Sequence, residues 1–198
     1  SSSEDIVLQE LFRETHLKTV NPRMICGHRQ GLFLEFISRL TQPKRILELG
    51  TFTAYATISL AKGLQHNGLI YTIEKKQEYE SIITNYLEKA NITSKTKLFF
   101  GEALDIIPKL QEKWDIIYID ADKKNYLNYY KLLLPSLNKN GIMMVDNVLW
   151  NGKISENIDS KDKDTKAIHE FNEYVQQDSQ VINYLLPLRD GIMMIQLK

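Results

Sequence analysis

The chain predicts an α/β fold, with a mostly parallel sheet of about seven strands, helices on both faces and a C-terminal antiparallel hairpin. Three observations predict it. Short apolar runs alternate with longer amphipathic stretches from residue 45 to residue 145. The last two runs, 181–187 and 192–197, are separated by Leu188-Arg189-Asp190-Gly191, and Asp-Gly between apolar strands is a hairpin signal. Several runs end in an acidic or amide side chain, which is where open α/β sheets bind ligands.

Taken in order, residues 4–16 and 27–41 read as helices. In the second, Leu32, Phe33, Phe36, Ile37 and Leu40 recur at helical spacing. Pro43 separates it from a strand at 45–49, and Gly50-Thr51-Phe52-Thr53 turns into a helix near 54–64. A second strand, 69–73, ends at Glu74, and a helix near 77–90 follows. A third strand, 97–100, stops at Gly101. A short helix near 103–111, a strand at 115–119, a helix near 124–137 and a strand at 141–145 complete the alternation. Residues 148–164 are polar and read as a surface loop or lid before a helix near 165–178. No internal repeat and no domain boundary is evident, so 1–198 reads as one domain.

Composition narrows the function classes. Lys plus Arg equals Asp plus Glu at 25 each, so the basic footprint of a nucleic-acid binder is missing, apart from local pairs such as Lys75-Lys76 and Lys123-Lys124. Cys26 is the only cysteine, which excludes an intrachain disulfide and fits a cytoplasmic location. No apolar run approaches the roughly 18 residues of a membrane span, and Ser1-Ser2-Ser3-Glu4-Asp5 is unlike a signal peptide. The first residue is not Met, and whether residues precede it in the natural protein stays open.

Two strand ends carry hard oxygen ligands. The run Trp114-Asp115-Ile116-Ile117-Tyr118-Ile119 ends at Asp120, and Gly141-Ile142-Met143-Met144-Val145 ends at Asp146-Asn147. Two carboxylates and an amide oxygen suit magnesium, calcium or manganese, and no thiolate or imidazole pair suits zinc. The first strand carries a second pattern. Glu48-Leu49-Gly50-Thr51 is a strand running into a glycine turn, and Glu74 ends the next strand, where an acid can accept from ribose hydroxyls. One glycine with an acid beside it argues against a pyrophosphate. It fits a ligand with adenine, ribose and a cationic amino-acid end, namely S-adenosylmethionine. Taken singly, Glu48 and Glu74 read equally well as ordinary strand-end acids.

These segments resemble the class I methyltransferase motif series, and more narrowly the cation-dependent O-methyltransferases of the caffeoyl-CoA and catechol type. The resemblance runs through Arg45-Ile-Leu-Glu-Leu-Gly-Thr-Phe-Thr-Ala-Tyr55, Tyr71-Thr-Ile-Glu74, Gly101-Glu-Ala103, Tyr118-Ile-Asp-Ala-Asp-Lys123 and Val145-Asp-Asn147. Met24-Ile-Cys-Gly27 and Val148-Leu-Trp-Asn-Gly152 resemble flanking segments of that family. Each motif is weak alone; together, in order, they cover nearly the whole chain.

The resemblance implies a Rossmann-like methyltransferase fold, with S-adenosylmethionine as methyl donor, a divalent metal, and a phenolic small molecule as acceptor. It also implies a homodimer. Glu74 would hold the ribose, while Glu48 and Gly50 would shape the methionine end, lined by backbone around Met24 and Cys26. Thr51, Ala56 and Asp120 also belong to the implied cofactor site, and Glu102, Ala103 and Ala121 would border the adenine. Asp120, Asp146 and Asn147 would bind the metal. Residues 1–42 would contribute to the pocket. The chain departs from the family where Ala54 and Ala56 replace a usual Gly and Ser. The lost hydroxyl removes a cofactor hydrogen bond worth about 0.5–1.5 kcal/mol, and Ala54 crowds the turn if a positive φ is required there.

A phenol has a pKa near 10 and needs activation at neutral pH; chelation by a dication supplies it. Lys123, three residues past Asp120, is then the expected base, with Asp120 as the second catalytic residue. Without the resemblance, Lys123 reads as a surface lysine at a helix start. Trp150 reads either as a substrate wall or as a loop anchor. Tyr126, Tyr129 and Tyr130 read as core or dimer contacts. Arg189 and Asp190 read as the back of the pocket or as the hairpin turn. The four histidines form no metal pattern. Two other readings remain: a metal-free methyltransferase with a different acceptor, and a nucleotide-binding module without catalysis.

Overall fold

The computed structural model describes residues 1–155 and 162–198, and the expected alternation of strands and helices is present in it. Two units, Ser1–Ile106 and Ile107–Lys198, each hold part of the seven strands.

In the first unit the strands are β1 (Arg45–Leu49), β2 (Leu69–Glu74) and β3 (Thr96–Phe100), all parallel, in the order β3-β2-β1. Ile46, Leu47, Glu48 and Leu49 are all fully buried, as expected of a parallel strand covered on both faces. The helices are α1 (Ile6–Lys18), α2 (Gly27–Thr41), α3 (Tyr55–Ala61), α4 (Glu80–Lys89) and the single turn α5 (Ala103–Ile106). Asp5 starts α1 by accepting from the Val7 amide at 2.8 Å. At the end of α2, Gln42 adopts a left-handed conformation and donates its N–H to the Ser38 carbonyl. Helix α2 approaches α3 closely because Gly31 has no Cβ; one there would lie 2.5 Å from Tyr55 Cε1. Tyr86 on α4 donates to Glu14 on α1 at 2.7 Å, and Thr15 donates to Thr53 at 2.9 Å, so α1 is tied to both α4 and the turn after β1.

In the second unit β4 (Trp114–Ile119), β5 (Leu137–Asp146), β6 (Val181–Leu186) and β7 (Ile192–Leu197) take the order β4-β5-β7-β6. Strands β4 and β5 are parallel, and β7 is antiparallel to both β5 and β6, as the Asp-Gly signal predicts. Helices α6 (Tyr126–Leu133) and α7 (Lys163–Gln177) pack together through Phe171, which meets Tyr126 and Tyr130 edge to face.

Three boundaries differ from expectation. Strand β5 begins at Leu137 rather than 141, because Leu137 pairs with Trp114 before a register shift brings Ile142 opposite Ile116. The helix expected at 124–137 is a 3-10 turn at Lys123–Asn125, then α6, then a second 3-10 turn at Leu134–Ser136, where Pro135 supplies no N–H. The helix expected at 103–111 is cut to one turn and a 3-10 segment by Pro108. Within the expected 148–164 lid, Trp150–Ser155 forms a 3-10 segment and 156–161 fall outside the described residues. Among the described residues no helix is long and apolar enough to cross a membrane.

The turn after β1 is built from left-handed residues. Gly50, Phe52 and Ala54 have φ of 97, 49 and 75°. Only Gly50 adopts this without a Cβ penalty, so Ala54 carries the strain anticipated when Ala stands in the family's Gly place. Ala54→Gly should raise stability by about 0.5–1 kcal/mol, the relief of left-handed strain less the extra entropy of an unfolded glycine. Urea unfolding reads this directly; an unchanged or lower midpoint would show that the turn stores no such strain.

Candidate active site

In the first unit the carboxylate of Glu48 is fully buried at the end of β1. Register puts Glu48 beside Thr72 on β2, and the Thr72 hydroxyl donates to Glu48 Oε2 at 2.6 Å. Thr57 on α3 donates to the same oxygen. The Thr51 and Thr72 hydroxyls are also hydrogen-bonded, so strand, turn and helix share one polar cluster. At the end of β2, Glu74 Oε2 accepts the Phe52 amide at 2.7 Å and Oε1 accepts the Lys76 amide at 2.9 Å. Burial raises the Glu74 carboxyl above its ordinary range, while the Lys76, Phe52 and Lys75 amides oppose the shift. A carboxylate oxygen accepts more than one hydrogen bond, so Glu74 keeps acceptor capacity for hydroxyls.

The other expected cofactor residues lie around this frame. Met24 ends a 3-10 turn and is exposed, and Cys26 is buried just before α2. Ala56 is buried in the first turn of α3. Ala103 is buried at the start of α5. Glu102 is half exposed and pairs with Lys75 at 2.6 Å, linking the ends of β2 and β3.

In the second unit the end of β4 and the end of β5 meet at one side chain. Lys123 Nζ donates to Asp120 Oδ1 at 3.0 Å, Asn147 Oδ1 at 2.7 Å and Tyr126 Oη at 2.6 Å. Its side chain is only 12 % exposed, so the surface-lysine reading fails. The Lys123 ammonium also lies 4.9 Å from the Tyr126 ring centre and 5.9 Å from that of Trp150. Asp146 accepts the Tyr118 hydroxyl at 3.1 Å on Oδ2 and the Asn147 amide at 2.8 Å on Oδ1. Asn147 itself is left-handed, with φ of 61°, and Asn tolerates this better than other residues with a Cβ. Ala121 follows Asp120 in the turn and is part-buried.

Among the described residues no group of three or more His, Cys, Asp or Glu could hold a metal. The oxygen set here is two carboxylates with one amide. Asp120 Oδ1 and Asn147 Oδ1 nevertheless converge on one cationic nitrogen, and the set is all oxygen. That convergence fits a hard dication.

Sequence reasoning missed several participants. Tyr126, assigned to core or dimer contacts, is fully buried but also accepts from Lys123 and donates to the Asp146 carbonyl at 2.9 Å. Burial pushes its phenol well above the usual value, with Asp120, Asp146, Asp122 and Asp190 adding to the shift, so it stays neutral. Its place three residues after Lys123, one helical turn on, was the available signal. Asp190 accepts the Asn151 amide, and its carbonyl accepts the Leu149 amide at 2.9 Å, so the hairpin turn clamps the Trp150 segment. Thr57 and Thr72 carry no sequence signal, since their role depends on strand register and helix placement.

Residues 1–198 match the O-methyltransferase family. The chain belongs to that family. A catechol O-methyltransferase of Niastella koreensis is 35% identical over 137 residues, which span 67% of this chain and 62% of that protein. Caffeoyl-CoA O-methyltransferase 1 of Nicotiana tabacum is 31% identical over 174 residues, spanning 82% of this chain and 73% of the relative. An O-methyltransferase of Streptomyces achromogenes involved in tomaymycin synthesis, solved with S-adenosylmethionine, superposes with a TM-score of 0.92 at 27% identity. It covers 99% of this chain and 91% of its own. An O-methyltransferase of Bacillus cereus, solved with S-adenosylhomocysteine, gives 0.91 at 28% identity over 99% of this chain and 92% of its own. The class I methyltransferase fold of this O-methyltransferase is therefore that of enzymes using S-adenosylmethionine.

The buried Glu48 cluster yields a stability prediction. Thr72→Val keeps the side-chain shape but removes one hydroxyl donor from a fully buried carboxylate, and should cost about 1.5–3 kcal/mol in urea unfolding. A loss below a few tenths of that would mean the carboxylate is satisfied without Thr72.

Proposed function

We propose that this chain is an S-adenosylmethionine-dependent, divalent-metal-dependent O-methyltransferase acting on a catechol-like or other vicinal-hydroxyl phenol. The observation that carries this reading is the convergence of Asp120 Oδ1 and Asn147 Oδ1 on a single cation position. Its support from relatives is the pair of curated proteins named for catechol and caffeoyl-CoA.

In this reading the first unit serves the methyl donor. Glu74, held by two backbone amides, accepts from ribose hydroxyls. Glu48 keeps the turn after β1 in place through Thr72 and Thr57, so that Gly50 and Thr51 present backbone to the methionine end. Met24, Cys26 and Ala56 line that end, and Glu102, Ala103 and Ala121 border the adenine. The second unit serves the acceptor. Asp120, Asp146 and Asn147 hold the metal, which when bound lowers the pKa of a phenol hydroxyl. Lys123 takes the phenol proton on Nζ, and Trp150 supplies an aromatic wall for the acceptor ring. In-line positioning of acceptor oxygen and sulfonium methyl then supplies much of the rate.

Two measurements test it. With a catechol and S-adenosylmethionine, EDTA should abolish methylation and added magnesium restore it; turnover indifferent to chelator would remove the metal from the reading. Lys123→Ala should lower kcat by about a hundredfold or more while calorimetric affinity for S-adenosylhomocysteine stays within a few fold. Unchanged kcat would end the assignment of Lys123 as base. Binding of the cofactor with no turnover across a panel of vicinal phenols would instead favour the non-catalytic module.

A further inference from the structure

The Lys123 ammonium stands where the two unit ends need positive charge. Asp120 and Asn147 come from different strand ends, and Lys123 is the side chain that joins them, at 3.0 and 2.7 Å. A dication bound to those oxygens would need contacts of about 2.0–2.6 Å. Ammonium and dication therefore exclude one another on these atoms, both by space and by like charge.

Tyr126 offers the ammonium a second place. Its phenol oxygen accepts from Lys123 Nζ at 2.6 Å and donates to the Asp146 carbonyl at 2.9 Å. The ring is fully buried and set edge to face against Phe171, with centres 5.8 Å apart. The phenol is thus fixed from two sides, by the backbone of β5 and by α7. The faces of Tyr126 and Trp150 lie 4.9 and 5.9 Å from Nζ and favour a cation there. A lysine that released Asp120 and Asn147 would keep one hydrogen bond and two aromatic faces.

We propose that the Lys123 ammonium is the built-in counter-cation of the Asp120–Asn147 cluster, and that Tyr126 is the positioning residue that retains Lys123 when a divalent cation takes its place. The proposal rests on the metal-dependent reading above. Its consequence is a coupling: metal entry at Asp120 and Asn147 and the freeing of Lys123 Nζ for an acceptor proton are one event. Before the metal enters, the ammonium keeps the two strand ends together, so the oxygens do not face each other unscreened.

The test is magnesium affinity, measured by titration calorimetry on the metal-stripped full chain without cofactor or acceptor. Lys123→Met should bind magnesium about tenfold more tightly than the parent, because no ammonium has to leave. Tyr126→Phe should bind it about threefold or more weakly, because the displaced ammonium loses its remaining hydrogen bond. In the Lys123→Met background, Tyr126→Phe should change affinity little. A purely structural role for Tyr126 would weaken binding equally in both backgrounds, and that result would overturn the proposal. So would a Lys123→Met variant that binds no more tightly than the parent. If Lys123→Met does not fold, as judged by circular dichroism, Lys123→Gln gives the same comparison with a neutral polar side chain. Absence of magnesium binding in parent and variants alike would overturn the metal reading itself, and the proposal with it. Binding in all with unchanged affinities would overturn the proposal alone.

Discussion

A charge taken out of water must be met by dipoles or by an opposite charge, and the strand ends of this protein are arranged around that requirement. Glu48 is met by two threonine hydroxyls from β2 and α3. Glu74 is met by two backbone amides, one from the turn after β1 and one from its own following turn. Asp120 is met by the ammonium of Lys123, and Asp146 by a tyrosine hydroxyl and a backbone amide. Each solution ties the end of one strand to another element. The groups best suited to handle ligands are thus also the groups that hold the turns in shape.

The turns accept backbone strain in return. Phe52 and Ala54 after β1, and Asn147, Trp150 and Asn151 after β5, have positive φ without being glycine. Such conformations persist only where the surroundings over-determine them. The Phe52 amide reaches Glu74 because of its left-handed setting, and Asn151 is held by Asp190. Asn147 turned in this way presents its amide oxygen to Lys123. The strain is therefore concentrated where polar atoms have to be aimed. Backbone elsewhere in the strands is extended and buried in apolar company.

The order of strands and helices, the hairpin and the positions of the strand-end acids were legible in the sequence, because burial in a parallel sheet is written residue by residue as hydrophobic runs. The boundaries were less so. Proline at 108 and 135 cut two helices short by removing N–H donors, and the early start of β5 came from the pairing of Leu137 with Trp114. For the site, Asp120, Asn147 and Lys123 were named from motif spacing, and the structure brings these three together. Tyr126 was misread because a tyrosine at helical spacing among apolar residues carries the same sequence pattern whether its hydroxyl is in the core or at the site. Asp190 was left between two readings because its carboxylate reaches a segment nearly forty residues earlier, Asn151.

By itself, then, the sequence determined which residues lie at strand ends, and hence the chemistry available there: carboxylates, one amide, one lysine. It did so because side-chain type and alternation are local properties. Only the tertiary structure decided how those charges are neutralised. Thr72 finds Glu48 through the register of β1 against β2, and Lys123 finds Asn147 across 24 residues of chain. Such pairings depend on which strands lie side by side and on which rotamers packing allows, and no periodicity along the chain encodes them.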